Sequence, residues 1–161
     1  MTIAVCLKWI NASGQPDADQ PDERFMGLSY TDQAALEYAL RVGEHTQEEI
    51  IVVTAGPVGS DIVLRDALAR GAHHVVRVDI DRATDSEAIA RAIAPVVANC
   101  SLIWCGDYSV DRGSGSVPAF IAAQLSCDQA LGLVEIAIPA NAQQAISALR
   151  RLDGGRRERL A

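Results

Sequence analysis

Aromatic residues are scarce in this 161-residue chain and make up only 4% of it. A hydrophobic core therefore has to be built mainly from Ala, Val, Leu and Ile. Hydrophobic residues make up 49% and charged residues 22%, which is typical of a globular protein and argues against a disordered one. The length suffices for one domain with a sizeable core, so we expect a single domain over residues 1–161.

A basic excess is also missing, because the formal net charge is -7. Proteins that bind nucleic acid non-specifically need a basic face, so the charge argues against that class. A single nucleotide stays compatible with it, since backbone N–H groups hold phosphates without Lys or Arg. No apolar run approaches the ~20 residues that span a bilayer, and no signal peptide precedes the first strand. We therefore expect a cytoplasmic protein with no membrane insertion.

The sequence has no Cys-x-x-Cys pair and no histidine at metal-ligand spacing from its four cysteines, Cys6, Cys100, Cys105 and Cys127. Free buried thiols in a reducing cytoplasm are favoured over a metal or redox site. No Ser-His-Asp, Cys-His or paired-carboxylate arrangement can be nominated either. We therefore expect no catalytic residue and no metal site.

Short apolar runs alternate along the chain with amphipathic segments. Buried strands are predicted at residues 2–7, 49–54, 74–78 and 101–105, and two later ones at 132–138 and about 144–152. Helices are predicted at about 33–42, 60–70, 85–99 and 117–126. This alternation predicts an α/β fold with a doubly wound, mostly parallel, Rossmann-like sheet.

Several residues predict where these helices begin and end. Ser29 or Thr31 can cap the first helix, and Gly43 is expected to stop it. Gly71 is expected to take the left-handed conformation after the second helix. Pro118 suits the first turn of the last helix, where no N–H is needed.

In an open parallel sheet, ligands bind at the carboxyl ends of the strands, near the switch point of strand order. We expect four segments to meet there, at residues 6–9, 29–32, 55–57 and 106–117. A cleft of this kind suits a nucleotide.

Residues 106–116, here called the glycine loop, are the most informative segment. Gly113 and Gly115 let the backbone approach a ligand closely, and Ser114 and Ser116 add hydroxyl donors just before a helix N-terminus. This chemistry suits a phosphate or pyrophosphate, but an ordinary flexible loop that caps a helix has the same composition. A Walker A loop and a first-strand G-x-G-x-x-G are both missing, which disfavours an ATPase or an ordinary NAD dehydrogenase.

The charged residues near these segments have different expected roles. Asp107 is expected to face solvent or take a ribose hydroxyl, and Asp111 to hold the shape of the loop. Arg112 pairs with a phosphate or with a surface acid. Lys8 is either solvated or directed at a cofactor or partner, and Asp32 is expected to stabilise a helix dipole.

Six stretches carry a family resemblance, in order, at residues 4–8 (AVCLK), 32–39 (DQAALEYA), 53–57 (VTAGP), 64–72 (LRDALARGA), 106–117 and 152–155 (LDGG). They resemble the β subunit of electron-transfer flavoproteins, and the Gly-Pro turn with the helix after it is the most specific match. The family continues past the Asp-Gly-Gly signature into an arm that grips another subunit, so the resemblance is to a shortened member. Family loops usually begin with Gly-Lys-Gln, whereas this one begins with Gly106-Asp-Tyr.

The resemblance implies an electron carrier rather than a catalyst. The expected cofactor is AMP or FAD, and the expected partner is the α subunit of the flavoprotein, in a heterodimer that passes electrons from dehydrogenases to an acceptor. Carried over by position, the expected cofactor-binding residues are Cys6, Ser29, Tyr30, Thr31, Asp32, Ala55, Gly106, Asp107, Tyr108, Ser109, Val110, Asp111, Arg112, Gly113, Ser114, Gly115, Ser116 and Val117.

Two alternatives stay open. A stand-alone adenine-nucleotide sensor similar to universal stress proteins also uses a glycine-and-serine loop after its fourth strand. A domain that binds no nucleotide and serves only as an interaction module is the other. ATP binding without flavin would favour the former, and an empty domain the latter.

Overall fold

A computed structural model describes residues 1–12, 23–111, 113–138 and 146–160. The strands are β1 (Thr2–Leu7), β2 (Ile10–Asn11), β3 (Met26–Gly27), β4 (Glu49–Gly56), β5 (His74–Asp79), β6 (Leu102–Cys105), β7 (Leu133–Ala137), β8 (Ser147–Arg151) and β9 (Arg157–Leu160). The α-helices are α1 (Tyr30–Thr46), α2 (Asp61–Ala69), α3 (Ser86–Val97) and α4 (Val117–Leu125). Short 3-10 turns lie at Glu23–Phe25, Val58–Ser60 and Asp153–Gly155.

The main sheet has four parallel strands in the order β5-β4-β1-β6. The chain moves outward from β1 to β4 and β5, and then crosses back to place β6 on the other side of β1. The strand order therefore reverses between β1 and β6, which makes this the switch point. This arrangement confirms the predicted α/β, doubly wound, Rossmann-like fold.

Helices cover both faces of the sheet. On one face, Leu36 of α1 and Leu64 of α2 pack into a buried aliphatic cluster. On the other face, Ile93 of α3 and Ile121 of α4 belong to a second cluster. The described part of the core is aliphatic, as the low aromatic content predicts.

The first helix begins as predicted and ends later than predicted. Ser29 caps it by accepting a hydrogen bond from the backbone N–H of Asp32 at 3.0 Å. The prediction that Gly43 stops the helix is wrong, because α1 continues to Thr46 and ends at Gln47 with φ 60°. Inside the helix, a Cβ at Gly43 would stand 2.9 Å from the Glu48 carbonyl oxygen and 2.6 Å from Cδ1 of Ile50, so the position excludes a side chain. Tight packing of the helix on β4 explains the glycine.

Other boundaries agree more closely with prediction. Gly71 has a φ of 114°, as expected for the residue that ends α2. Asp85 caps α3, and Pro118 lies in the first turn of α4. The strand predicted at 49–54 extends to Gly56, because Ala55 and Gly56 pair with β5.

A smaller antiparallel sheet has the order β7-β8-β9. Its first two strands agree with the predicted runs, whereas β9 and the short β2–β3 pair were not predicted. Two-residue strands have too little periodicity to detect. The polar stretch from Asn11 to Glu23 is rich in Gly, Pro and Asp, which predicts a mobile or partner-covered loop, and it falls mostly outside the described residues. Among the described helices, none combines the length and apolar character required to cross a membrane.

Candidate functional site

A cleft opens at the carboxyl ends of the parallel strands, at the switch point. Residues from all four predicted segments line it, and the segment 29–32 contributes Asp32 at the start of α1. The predicted residues on its wall are Cys6, Asp32, Ala55, Gly106, Tyr108, Ser109, Asp111, Ser114, Gly115, Ser116 and Val117. Strands far apart in sequence thus bring their ends to one place, as the doubly wound order requires.

Some residues of the predicted set do not line this cleft. In the described chain these are Ser29, Tyr30, Thr31, Asp107, Val110 and Gly113, and Arg112 lies outside the described residues. Ser29 is buried because its side chain caps α1, and Tyr30 is 89% exposed. Thr31 and Asp107 line a neighbouring groove beside β6. Ser29 and Thr31 thus contact α1 and the loop beside the cleft and do not form its wall.

Sequence reasoning missed part of the wall. The guanidinium of Arg82 lies 5.1 Å from the ring centroid of Trp9, a cation–π contact at the cleft. Asp81 and Ser86 also contribute to the lining. Strand β5 is parallel to β4 and ends at the same edge of the sheet. The rule that located the four segments therefore predicts that the residues after β5 also lie at the cleft.

Asp32 joins the first helix to the ends of two strands. It is 4% exposed and accepts a hydrogen bond from the Ser29 hydroxyl at 2.8 Å. Burial raises the pKa of the Asp32 carboxyl from 3.8 to about 6, although hydrogen bonds from Ser29 and from the backbone N–H groups of Lys8 and Gly106 oppose the rise. Asp32 therefore does more than stabilise a helix dipole, because it ties β1 and β6 to α1.

Gly106 has a steric reason to be glycine. A Cβ at this position would stand 2.6 Å from Oδ1 of Asp32 and 2.8 Å from Oγ1 of Thr31. Strand β6 can therefore approach the start of α1 only without a side chain here.

Side chains from the first part of the chain anchor the glycine loop. Lys8 donates to Asp111 Oδ1 at 2.7 Å and to Ser109 Oγ at 3.2 Å, and Thr31 donates to the Tyr108 carbonyl at 2.6 Å. Lys8 was expected either to be solvated or to point at a cofactor or partner. Its ammonium group instead pairs with Asp111 of the loop. The expectation that Asp111 holds the loop's shape agrees with this contact.

The second half of the loop leads directly into α4. Gly115 has a φ of 56°, and a Cβ there would stand 2.5 Å from the Asp107 carbonyl oxygen. Ser116 precedes the helix without a side-chain capping bond, in contrast to Ser29 and Asp85 at α1 and α3. The start of α4 thus lines the cleft without a side-chain cap, and a helix N-terminus in such a place suits an anion.

Comparison with known proteins identifies the family. A sequence model of the electron transfer flavoprotein domain matches residues 23–159. The chain belongs to the electron transfer flavoprotein β family.

Curated relatives agree with this assignment. The electron transfer flavoprotein subunit beta of Thermoanaerobacterium thermosaccharolyticum is 30% identical over 76% of this chain and 45% of its own length. The corresponding subunit of Methylophilus methylotrophus is 31% identical over 86% of this chain and 55% of its own. Protein FixA of Rhizobium meliloti is 29% identical over 96% and 58%. The chain spans about half the length of the curated relatives it matches.

The cysteines of this flavoprotein-family chain are all free thiols. Cys6 on β1 and Cys105 on β6 are register partners, and both line the cleft. The pKa of the Cys6 thiol lies well above its ordinary value, chiefly because of a hydrogen bond with Cys105 and secondly because the thiol is buried. A thiol that stays protonated is a poor nucleophile and metal ligand. Cys6 is buried as predicted, whereas Cys100 and Cys105 are only partly buried and Cys127 is exposed.

Proposed function

We propose that this chain is the nucleotide-binding part of an electron-transfer flavoprotein. It holds AMP or FAD in the cleft at the switch point and pairs with an α subunit as a heterodimer. The complex passes electrons from dehydrogenases to an acceptor, while the chain itself acts as a carrier subunit and not as a catalyst. A cytoplasmic location stays a prediction that rests on the sequence.

The observation that carries the proposal is the junction between the glycine loop and α4. Gly115 has a positive φ and approaches the Asp107 carbonyl oxygen closely, which excludes a side chain, so this glycine keeps the loop folded back on itself just before α4. Ser114 and Ser116 offer hydroxyl groups, and the start of α4 offers N–H groups and the positive end of its dipole. These donors fit a phosphate.

The remaining wall suits the other parts of a nucleotide. Ala55, Ile89 and Val117 give it an apolar side that accommodates an adenine ring. An AMP in this cleft would serve structure only, whereas an FAD would supply the redox chemistry. In both cases the residues of this chain bind and orient the nucleotide.

The test is the identity of small molecules released from the natively purified chain, measured by mass spectrometry. AMP supports a structural nucleotide, and FAD supports a redox-active one. ATP without flavin favours the stress-protein-like sensor. If no nucleotide is released, titration with AMP, ADP, ATP and FAD follows, and a chain that binds none of them contradicts the proposal.

A second test addresses the partner. Co-expression with an electron-transfer flavoprotein α subunit from the same source should give a stable yellow complex. The absorbance of oxidised flavin and the mass of the complex report the result. A flavin-loaded α subunit that elutes apart from this chain would refute the proposed pairing.

A further inference from the structure

An ion pair connects the first strand to the glycine loop across about a hundred residues of sequence. Lys8 Nζ lies 2.7 Å from Oδ2 of Asp111 and 3.2 Å from Oγ of Ser109. Lys8 directly follows β1, and both partners lie in the loop that forms one wall of the cleft. The contact therefore joins the two sides of the sheet's switch point.

The two ends of this pair differ in exposure. The Asp111 side chain is only 9% exposed, whereas the Lys8 side chain is 38% exposed. A carboxylate that is removed from water is stabilised by its charged partner, and loss of that partner leaves part of its desolvation cost uncompensated. Loss of the lysine charge should therefore loosen the loop around Asp111, far more than loss of an ordinary surface pair would.

A lysine beside a nucleotide cleft suggests a direct contact with phosphate as the simpler role. The geometry assigns Lys8 differently, because its ammonium group is directed at oxygens of two loop side chains. A lysine held in this way orders the wall of the site, and the backbone and hydroxyl donors of residues 114–117 are left to bind the anion.

We propose that Lys8 and Asp111 form a positioning pair that holds residues 106–111 against the cleft and thereby slows the release of the bound nucleotide. This inference rests on the proposed function. It assigns the retention of ligand to a contact between two protein side chains, and it makes Lys8 a positioning residue rather than a phosphate-binding one.

The test is a double-mutant cycle with Lys8→Met, Asp111→Asn and the double variant. The measured quantity is the dissociation rate of AMP and of adenosine, for example by competition with a fluorescent adenosine analogue. Each single variant should release both ligands about tenfold faster, since a hydrogen-bonded ion pair of this burial is lost. The double variant should be no faster than either single variant, because one shared interaction is removed.

The alternative role of Lys8 predicts a different pattern. If the lysine contacts phosphate, Lys8→Met should weaken AMP but not adenosine, and Asp111→Asn should tighten AMP by freeing the lysine. Either result would overturn the inference. Additive effects of the two single variants would also overturn it, because they would show that the two side chains act independently.

A matched control is available on α1, where Arg41 and Glu37 form an ion pair of 2.7 Å that is exposed at both ends. Arg41→Met and Glu37→Gln should leave both dissociation rates unchanged. Hydrogen exchange of the ligand-free chain gives a readout that needs no nucleotide, and amides of residues 106–111 should lose protection in Lys8→Met. A wild-type chain that binds no nucleotide refutes the proposed function, whereas nucleotide binding with a dissociation rate that the variants do not alter refutes only this inference.

Discussion

Replacement of Gly106 by alanine should perturb the junction between β6 and α1. The added Cβ would stand 2.6 Å from Oδ1 of Asp32, 2.8 Å from Oγ1 of Thr31 and 2.9 Å from the Asp32 backbone nitrogen. Real Cβ atoms do not approach other heavy atoms this closely. Either the strand or the start of the helix must therefore move.

The magnitude follows from the atoms that have to move. Overpacking of a well-packed site costs about 1–3 kcal/mol. The Asp32 carboxylate also accepts a hydrogen bond from the Gly106 backbone N–H, so a shift weakens a bond to a buried charge. We expect Gly106→Ala to lower the free energy of unfolding by about 2–4 kcal/mol.

The assay is urea denaturation followed by circular dichroism, with Gly27→Ala as the matched control. A Cβ at Gly27 would meet no atom within 4 Å, so this control should change stability by less than about 0.5 kcal/mol. Equal stabilities of the two variants would show that the approach of β6 to α1 is not tight, and the steric account of Gly106 would then be wrong.

Three further predictions concern charge, ligand and core. The Asp32 carboxyl, with a pKa of about 6 in the folded chain and 3.8 ordinarily, binds its proton more tightly when folded, so the unfolding free energy should rise by up to about 3 kcal/mol as the pH falls from above 6 to below 4. Urea titrations at several pH values should show this rise in the wild type and not in Asp32→Asn. Substitution of Gly113 and Gly115 by Val should abolish nucleotide retention in the mass-spectrometric assay while far-ultraviolet circular dichroism stays unchanged, and unchanged retention would remove the loop from the site. Leu36→Ala in the fully buried core should cost about 2–5 kcal/mol in thermal or urea unfolding, whereas Leu68→Ala, at a side chain 44% exposed, should cost far less.

Local patterns predicted much of the fold. Ser29 and Asp85 are capping residues placed before helical patterns, and each accepts the backbone N–H that its type predicts. Gly71 ends α2 in a conformation that few other residues adopt. Such features depend on neighbours within a few residues, so a single sequence contains all the information they need.

The features that the sequence did not predict depend on how the chain packs in three dimensions. Gly43 looks like a helix stop, but the chain turns back from α1 into β4 and brings Glu48 and Ile50 against it, which explains why glycine is needed inside the helix. The pairing of Lys8 with Asp111 depends on the placement of β1 beside β6. Trp9 and Arg82 meet for the same kind of reason, because β1 and β5 end at one sheet edge.

The sequence by itself determined the alternation of strands and helices, the helix caps and the family, because periodicity, capping chemistry and ordered motifs are local properties. The tertiary structure decided which residues of these segments line the cleft and how its charges are paired. Burial also set the proton affinity of Asp32, since desolvation depends on everything packed around a group and not on the residues next to it in the chain.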